Sequence, residues 1–148
     1  MPKTIIKVER LANNRYLPEY KTVGASGMDL YAAIDEPVVL KPLERKLIPT
    51  GLKIELEKDY EVQVRARSGL SIKHGITLIN GIGTVDEDYR GELCVPLVNL
   101  STEEYTVMPD ERIAQMVVMK VEKAEFKIVE SVNETLRGEG GFGSTGSL

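Results

Sequence analysis

A chain of 148 residues has the length of one ordinary domain and is long enough to bury a core without disulfide staples. Its 42% hydrophobic and 28% charged residues suit a soluble globular protein, and its net charge of −4 argues against a DNA or RNA polymer as partner, which needs a basic face. With one cysteine, Cys94, and one histidine, His74, neither an internal disulfide nor a multi-histidine metal site is available.

No window approaches the ~20 apolar residues of a membrane span, so no membrane partner is expected. The opening "MPKTIIKVER" lacks the apolar stretch of a secretory signal. A cytoplasmic protein is the expectation, and a lone thiol suits that reducing compartment.

Valine and isoleucine total 26 against seven alanines, a ratio that favours strands over helices. The first predicted strand covers Thr4–Glu9. "GASGMDLYAA" (Gly24–Ala33) then sets Asp29 among small and apolar residues, where an acid is either paired or functional. "EPVVLKP" and "PTG" read as turns. Alternation predicts strands over Leu52–Glu57 and Glu61–Arg67, with "EKDY" as the turn between them. A short helix is expected from Ser68, as a possible cap, to Gly75. "LINGIGTVDEDYRGEL" (Leu78–Leu93) follows as a hairpin, and strands return over Glu92–Leu100 and Arg112–Glu122. The last of these would also fit an amphipathic helix, but Val117, Val118 and Val121 favour strand. The expected fold is all-β, one sandwich or barrel with one short helix. It occupies residues 1–135, and a glycine-rich arm occupies 136–148.

Four stretches carry candidate chemistry. In "VDEDYRG", Asp86 and Asp88 share one face if the chain is extended. They are either a solvated acidic turn or, with one carboxylate facing inward, a general base. In "RARSGLS", Arg67 with Ser68 and Gly69 at a helix start form an anion site in principle; an ordinary capped helix is the alternative. "DERIAQMVV" sets Arg112 and Gln115 in an apolar run, as structural pairs or as ligand contacts. The tail, "LRGEGGFGSTGSL", holds five of the 13 glycines. It also holds Arg137, Phe142, Ser144 and Thr145, which a plain linker does not need. Its glycines allow amides to close on phosphate, its hydroxyls add donors, and Phe142 suits stacking on a base. It reads as a mobile lid for a nucleotide, and it lacks the Gly-Lys-Ser/Thr end of a Walker loop.

Taken in order, "SGMDL", "RSGLS", "GIGTVDEDYRGEL", "DERIAQMV" and "RGEGGFGSTG" resemble the five motifs of the trimeric deoxyuridine triphosphatases (dUTPases). Ser26 and Ala66 stand where that family usually has alanine and proline. The resemblance implies a β-jelly-roll homotrimer with active sites between subunits, closed by the arm of one chain. It implies hydrolysis of dUTP to dUMP and pyrophosphate with Mg2+ as cofactor. Asp86 would be the general base. Asn80, the Gly83–Thr84–Val85 backbone and the strand near Cys94 would read uracil. Tyr89 would lie under deoxyribose, and Phe142 would cover the base. Arg67, Ser68, Gly69, Gln115, Arg137, Ser144 and Thr145 would hold phosphates, and Asp29 would meet magnesium through water. A dCTP deaminase or a non-catalytic nucleotide-binding module on the same fold are the alternatives.

Overall fold

The computed structural model of the chain describes residues 3–146. Within them the valine- and isoleucine-rich runs form eleven short strands and one helix, so the strand-rich expectation with a single helix holds. The elements are β1 (Lys7–Arg10), β2 (Met28–Tyr31), β3 (Val38–Leu40), β4 (Arg45–Pro49), β5 (Leu52–Glu55), β6 (Tyr60–Arg65), α1 (Ser68–His74), β7 (Ile76–Leu78), β8 (Gly83–Val85), β9 (Cys94–Asn99), β10 (Tyr105–Val107) and β11 (Arg112–Lys120).

All described pairings are antiparallel. A four-stranded sheet runs in the order β2-β11-β6-β8 and a three-stranded sheet in the order β4-β9-β7; β1 pairs with β5, and β10 with β3. These sheets do not close into a barrel among the described residues. Leu30, Ile48, Val62, Val95, Leu97 and Ile113 are each no more than 1% exposed and fill the space between the layers. Burying each such side chain contributes ~1.5–3 kcal/mol.

Several expectations are corrected. "EPVVLKP" is not only a turn: Val38–Leu40 is strand β3, because Tyr105–Val107, more than sixty residues later, supplies its hydrogen-bonding partner. The strand expected over Glu61–Arg67 ends at Arg65, and the one over Thr4–Glu9 begins at Lys7. Arg112–Lys120 is a strand, as the valines indicated, flanked by β2 and β6. Ser68 does not cap α1. It is the first helical residue, Arg67 is the cap, and no side chain caps the helix. The other end is conventional, since Gly75 takes φ 67° and its N–H returns to Leu70 and Ser71, a conformation glycine adopts without penalty.

A polar knot missed in the sequence holds β9 in place. Asn99 is fully buried. Its amide nitrogen donates to the Leu40 and Glu103 carbonyls at 2.9 and 2.7 Å, and its oxygen accepts from the Ser101 N–H and hydroxyl. All four hydrogen-bonding positions of that amide are thus occupied, which is what permits its burial.

Candidate active site

The hairpin around Gly81–Leu93 encloses a pocket of about 280 Å³. Asn80, Gly83, Thr84, Val85, Asp86, Tyr89 and Cys94, seven of the sequence candidates, line it together. Leu47, Val64, Glu92, Leu93 and Pro96 complete the wall. Sequence reasoning missed Leu47, Val64 and Pro96 because they come from β4, β6 and β9, whose approach depends on strand pairing, and it passed over Glu92 and Leu93 on the returning limb of the hairpin itself. Only Val64, on an alternating strand, carried a signal of facing inward.

Local chemistry explains the shape. Gly81 adopts φ 76°, and the chain reverses there with Gly81 N–H donating to the Leu78 carbonyl at 3.0 Å and Ile82 N–H to Asn80 at 2.9 Å. A residue with a side chain resists that left-handed backbone. β8 then pairs with β6, Gly83 opposite Val64. A Cβ on Gly83 would lie 3.2 Å from Val64 and 3.5 Å from the Asn80 amide, so glycine keeps the pocket open there.

Asp86 and Asp88 do not share a strand face. β8 stops at Val85, and Tyr89 N–H donates to the Asp86 carbonyl at 3.2 Å, closing a turn. The turn is held from several sides. The Glu87 carboxylate accepts from Asp59 N–H at 2.6 Å, and Arg90 donates to the Glu87 and Tyr89 carbonyls at 2.7 and 3.1 Å. Asp59 also accepts from Val121 N–H at 2.8 Å, so the base of the C-terminal segment reaches the same anchor. The returning limb is clamped too. The buried Thr50 hydroxyl and N–H both donate to the Leu93 carbonyl, at 2.6 and 3.1 Å, and Leu93 N–H donates to Leu52 at 2.7 Å. Asp86 itself is exposed at the pocket edge. Burial, aided by the neighbouring Glu92 carboxylate, pushes the Cys94 thiol up to about 11, which keeps it a neutral, poorly reactive group near pH 7.

The phosphate candidates form a second cluster. Asp29, 15% exposed at its side chain, lies 3.4 Å from both Arg67 and Arg112. Arg67 also donates to the Arg112 carbonyl at 3.1 Å, and Gln115 to the Ala66 carbonyl at 3.4 Å. Ser68 and Gly69 are the exposed first residues of α1, whose leading N–H groups have no partner within the helix. This cluster does not line the pocket. Gln63 pairs with Thr84 and Val62 with Val85, so Asp86 follows β8 toward one end of β6 while Arg67 follows the other end. At ~3.3 Å per residue the stretch of β6 from Val62, opposite Val85, to Arg65 alone spans about 10 Å, and the two residues leave it at opposite ends.

As for a cation, no group of three His, Cys, Asp or Glu side chains suited to a metal occurs among the described residues. The single donor the resemblance assigns, Asp29, has only long contacts to its two arginines. Its carboxylate therefore keeps lone pairs for water, which fits a magnesium ion met through water and not one caged by protein.

Among the described residues, the hydrogen bonds of the arm stay within residues 135–146 and reach neither cluster. Phe142 is fully exposed, with φ 51°. Arg137 Nε donates to the Gly140 carbonyl at 2.7 Å, and Ser144 N–H to Gly141 at 3.0 Å. Among the described residues, Arg137, Phe142, Ser144 and Thr145 are not brought to the pocket of their own chain. The last two arm residues, 147 and 148, lie outside those described.

The ordered motifs and this pocket invite comparison with known proteins. The family model described as dUTPase matches residues 13–146. The deoxyuridine 5'-triphosphate nucleotidohydrolase of Finegoldia magna is 57% identical over 141 residues, 95% of this chain and 98% of that protein. A mutant dUTPase of Staphylococcus bacteriophage 80alpha, solved with dUpNHpp, superposes with a TM-score of 0.86 at 27% identity, covering 96% of this chain and 98% of that one. A mutant dUTPase from phage phi11 of S. aureus, described for its coordination of a structural Mg(II) ion, has a TM-score of 0.76 at 25% identity, covering 86% and 97%. With the family model spanning nearly the whole chain and the hairpin of its third motif forming the pocket wall, this chain belongs to the dUTPase family.

Proposed function

We propose that the chain hydrolyses dUTP to dUMP and pyrophosphate, lowering dUTP and supplying dUMP for dTMP synthesis. The observation that carries this reading is the pocket. It is large enough for a pyrimidine nucleoside, it is lined by Asn80, Gly83–Val85, Tyr89 and Cys94, and it has Asp86 at its edge. The family match and the dUpNHpp held by a structural relative support the same ligand. A cytoplasmic setting, beside the nucleotide pool, belongs to the proposal.

In this mechanism the Asp86 carboxylate accepts a proton from a water molecule whose oxygen attacks the α-phosphorus. The bond to the α–β bridging oxygen breaks, and pyrophosphate leaves with that electron pair. Such a transfer depends on positioning and charge neutralisation more than on covalent catalysis. Arg67, Ser68, Gly69 and Gln115 hold the phosphate chain, and Arg137 meets its terminal phosphate. When bound, magnesium would supply further charge neutralisation on the phosphates, and Asp29 would orient its waters.

Specificity follows from fixed groups. Asn80 and the hairpin backbone pair with the uracil edge, and cytosine, with donor and acceptor exchanged, leaves them unpaired. The narrow hairpin refuses the thymine methyl. Tyr89 excludes a 2′-hydroxyl.

The separation of Asp86 from Arg67 supports a site completed by other copies of the chain, in a jelly-roll homotrimer. The arm of one copy, residues 136–148, then closes the site of another, with Phe142 over the base and Ser144 and Thr145 on the phosphates. Phe126 and Ile128, each about 96–97% exposed at the root of the arm, support a reach away from the chain's own body, since such side chains gain most from burial against a partner.

Pyrophosphate release from dUTP, UTP, dTTP and dCTP, with and without Mg2+, tests the activity. Release confined to dUTP is expected. Ammonia from dCTP would instead identify a deaminase, and no turnover of any of them would leave a binding module. Sedimentation velocity tests the assembly, with a species three times the mass of one chain expected.

A further inference from the structure

Gly91 is the one pocket-hairpin glycine in contact with a proposed sugar contact, and its backbone does not demand glycine. It is absent from the left-handed residues, so an L side chain fits its φ. Space is the constraint. A Cβ at Gly91 would run into the Tyr89 hydroxyl, would come within 2.5 Å of Cζ and 3.0 Å of Cε2, and these are its three nearest atoms. All belong to the far end of one side chain, and none to backbone.

Tyr89 lies across this gap. Its hydroxyl donates to the Glu92 carbonyl at 3.0 Å, so the ring passes over Gly91 and is pinned beyond it. The ring also lines the pocket. An added methyl therefore leaves the backbone where it is and forces the ring off the hairpin, breaking the bond to Glu92.

We propose that Gly91 is a positioning residue for sugar selection: by lacking a side chain it lets Tyr89 lie flat on the hairpin, where the ring excludes a 2′-hydroxyl. This rests on the proposed role of Tyr89, and the test separates the two.

Steady-state constants for dUTP and UTP are measured for the unaltered chain, Gly91→Ala, Tyr89→Ala and the double variant. Gly91→Ala is expected to lower the preference for dUTP over UTP by about tenfold, the scale of a misplaced steric contact. The loss falls mainly on KM for dUTP and less on kcat, because the three atoms nearest a Cβ at Gly91 all belong to Tyr89. In the Tyr89→Ala background the same substitution has no further effect, since the ring it displaces is gone. An unchanged dUTP-to-UTP ratio in Gly91→Ala overturns the inference, as does a full additional effect in the double variant. If Gly91→Ala fails to fold, a double variant that folds and matches Tyr89→Ala still supports the coupling, and one that also fails to fold overturns it. Should Tyr89→Ala itself keep the full preference, the sugar role of Tyr89 falls instead.

Discussion

The hairpin of residues 78–94 and the arm of residues 136–146 carry the two densest sets of candidate residues, yet they are built in opposite ways. The hairpin is clamped: Thr50 holds Leu93, Glu87 holds Asp59, Arg90 spans the turn, and β6 and β9 back it with buried valines and leucines. The arm satisfies its polar groups only within itself and leaves Phe142 in solvent. The contrast matches the two tasks proposed for these segments. Telling uracil from cytosine requires donors and acceptors that do not move, because a flexible site re-pairs with the wrong base. Closing over a triphosphate requires a segment with low local stability that can leave again.

The sharpest way to break the comparison is at Asp86. Replacement Asp86→Asn is expected to lower kcat by roughly 10²–10⁴ with dUTP binding retained, the usual scale for losing a general base. Near-normal turnover in single-turnover assays would remove the assignment. Next is the arm. Truncation after Leu136 is expected to cost on the order of 10² in kcat/KM, as misplacement of closing groups does, with the sedimenting species unchanged. Loss of the oligomer instead would make the arm structural.

Stability sharpens the same contrast. Leu97→Ala removes a side chain 1% exposed and is expected to cost about 2–5 kcal/mol in denaturant unfolding. Phe142→Ala, in the exposed arm, is expected to change it by less than about 0.5 kcal/mol. The smallest effect concerns Cys94. Its pKa is raised from 9.0 to about 11, so the neutral thiol is favoured in the folded state. The associated stability is complete below pH 9 and is lost as pH rises from 9 towards 11. Iodoacetamide labelling of the folded chain is accordingly expected to be slow at pH 8 and to accelerate above pH 10; fast labelling at pH 8 would contradict the burial.

What was legible in the sequence was local. Alternating valines and isoleucines specified strands, Gly75 and Gly81 marked a helix end and a reversal, and the run from Asn80 to Cys94 identified one lining of one pocket. Each of these depends on neighbours a few residues away, where side-chain period and backbone preference act directly. Val38–Leu40 escaped because flanking prolines read as turn and its partner lies in β10. Asp86 and Asp88 were read by strand alternation, but pairing with β6 ends at Val85 and the chain turns.

The sequence by itself therefore determined a strand-rich chain, one short helix and the ordered motifs of its family. Only the tertiary structure decided that Leu47, Val64 and Pro96 complete the pocket, that Glu87 anchors the turn through Asp59, and that Asp86 and Arg67 stand at opposite ends of one strand pair. Such placements are set by register between distant strands, and register is chosen by the whole core at once, because slipping a strand by one residue turns every buried side chain outward.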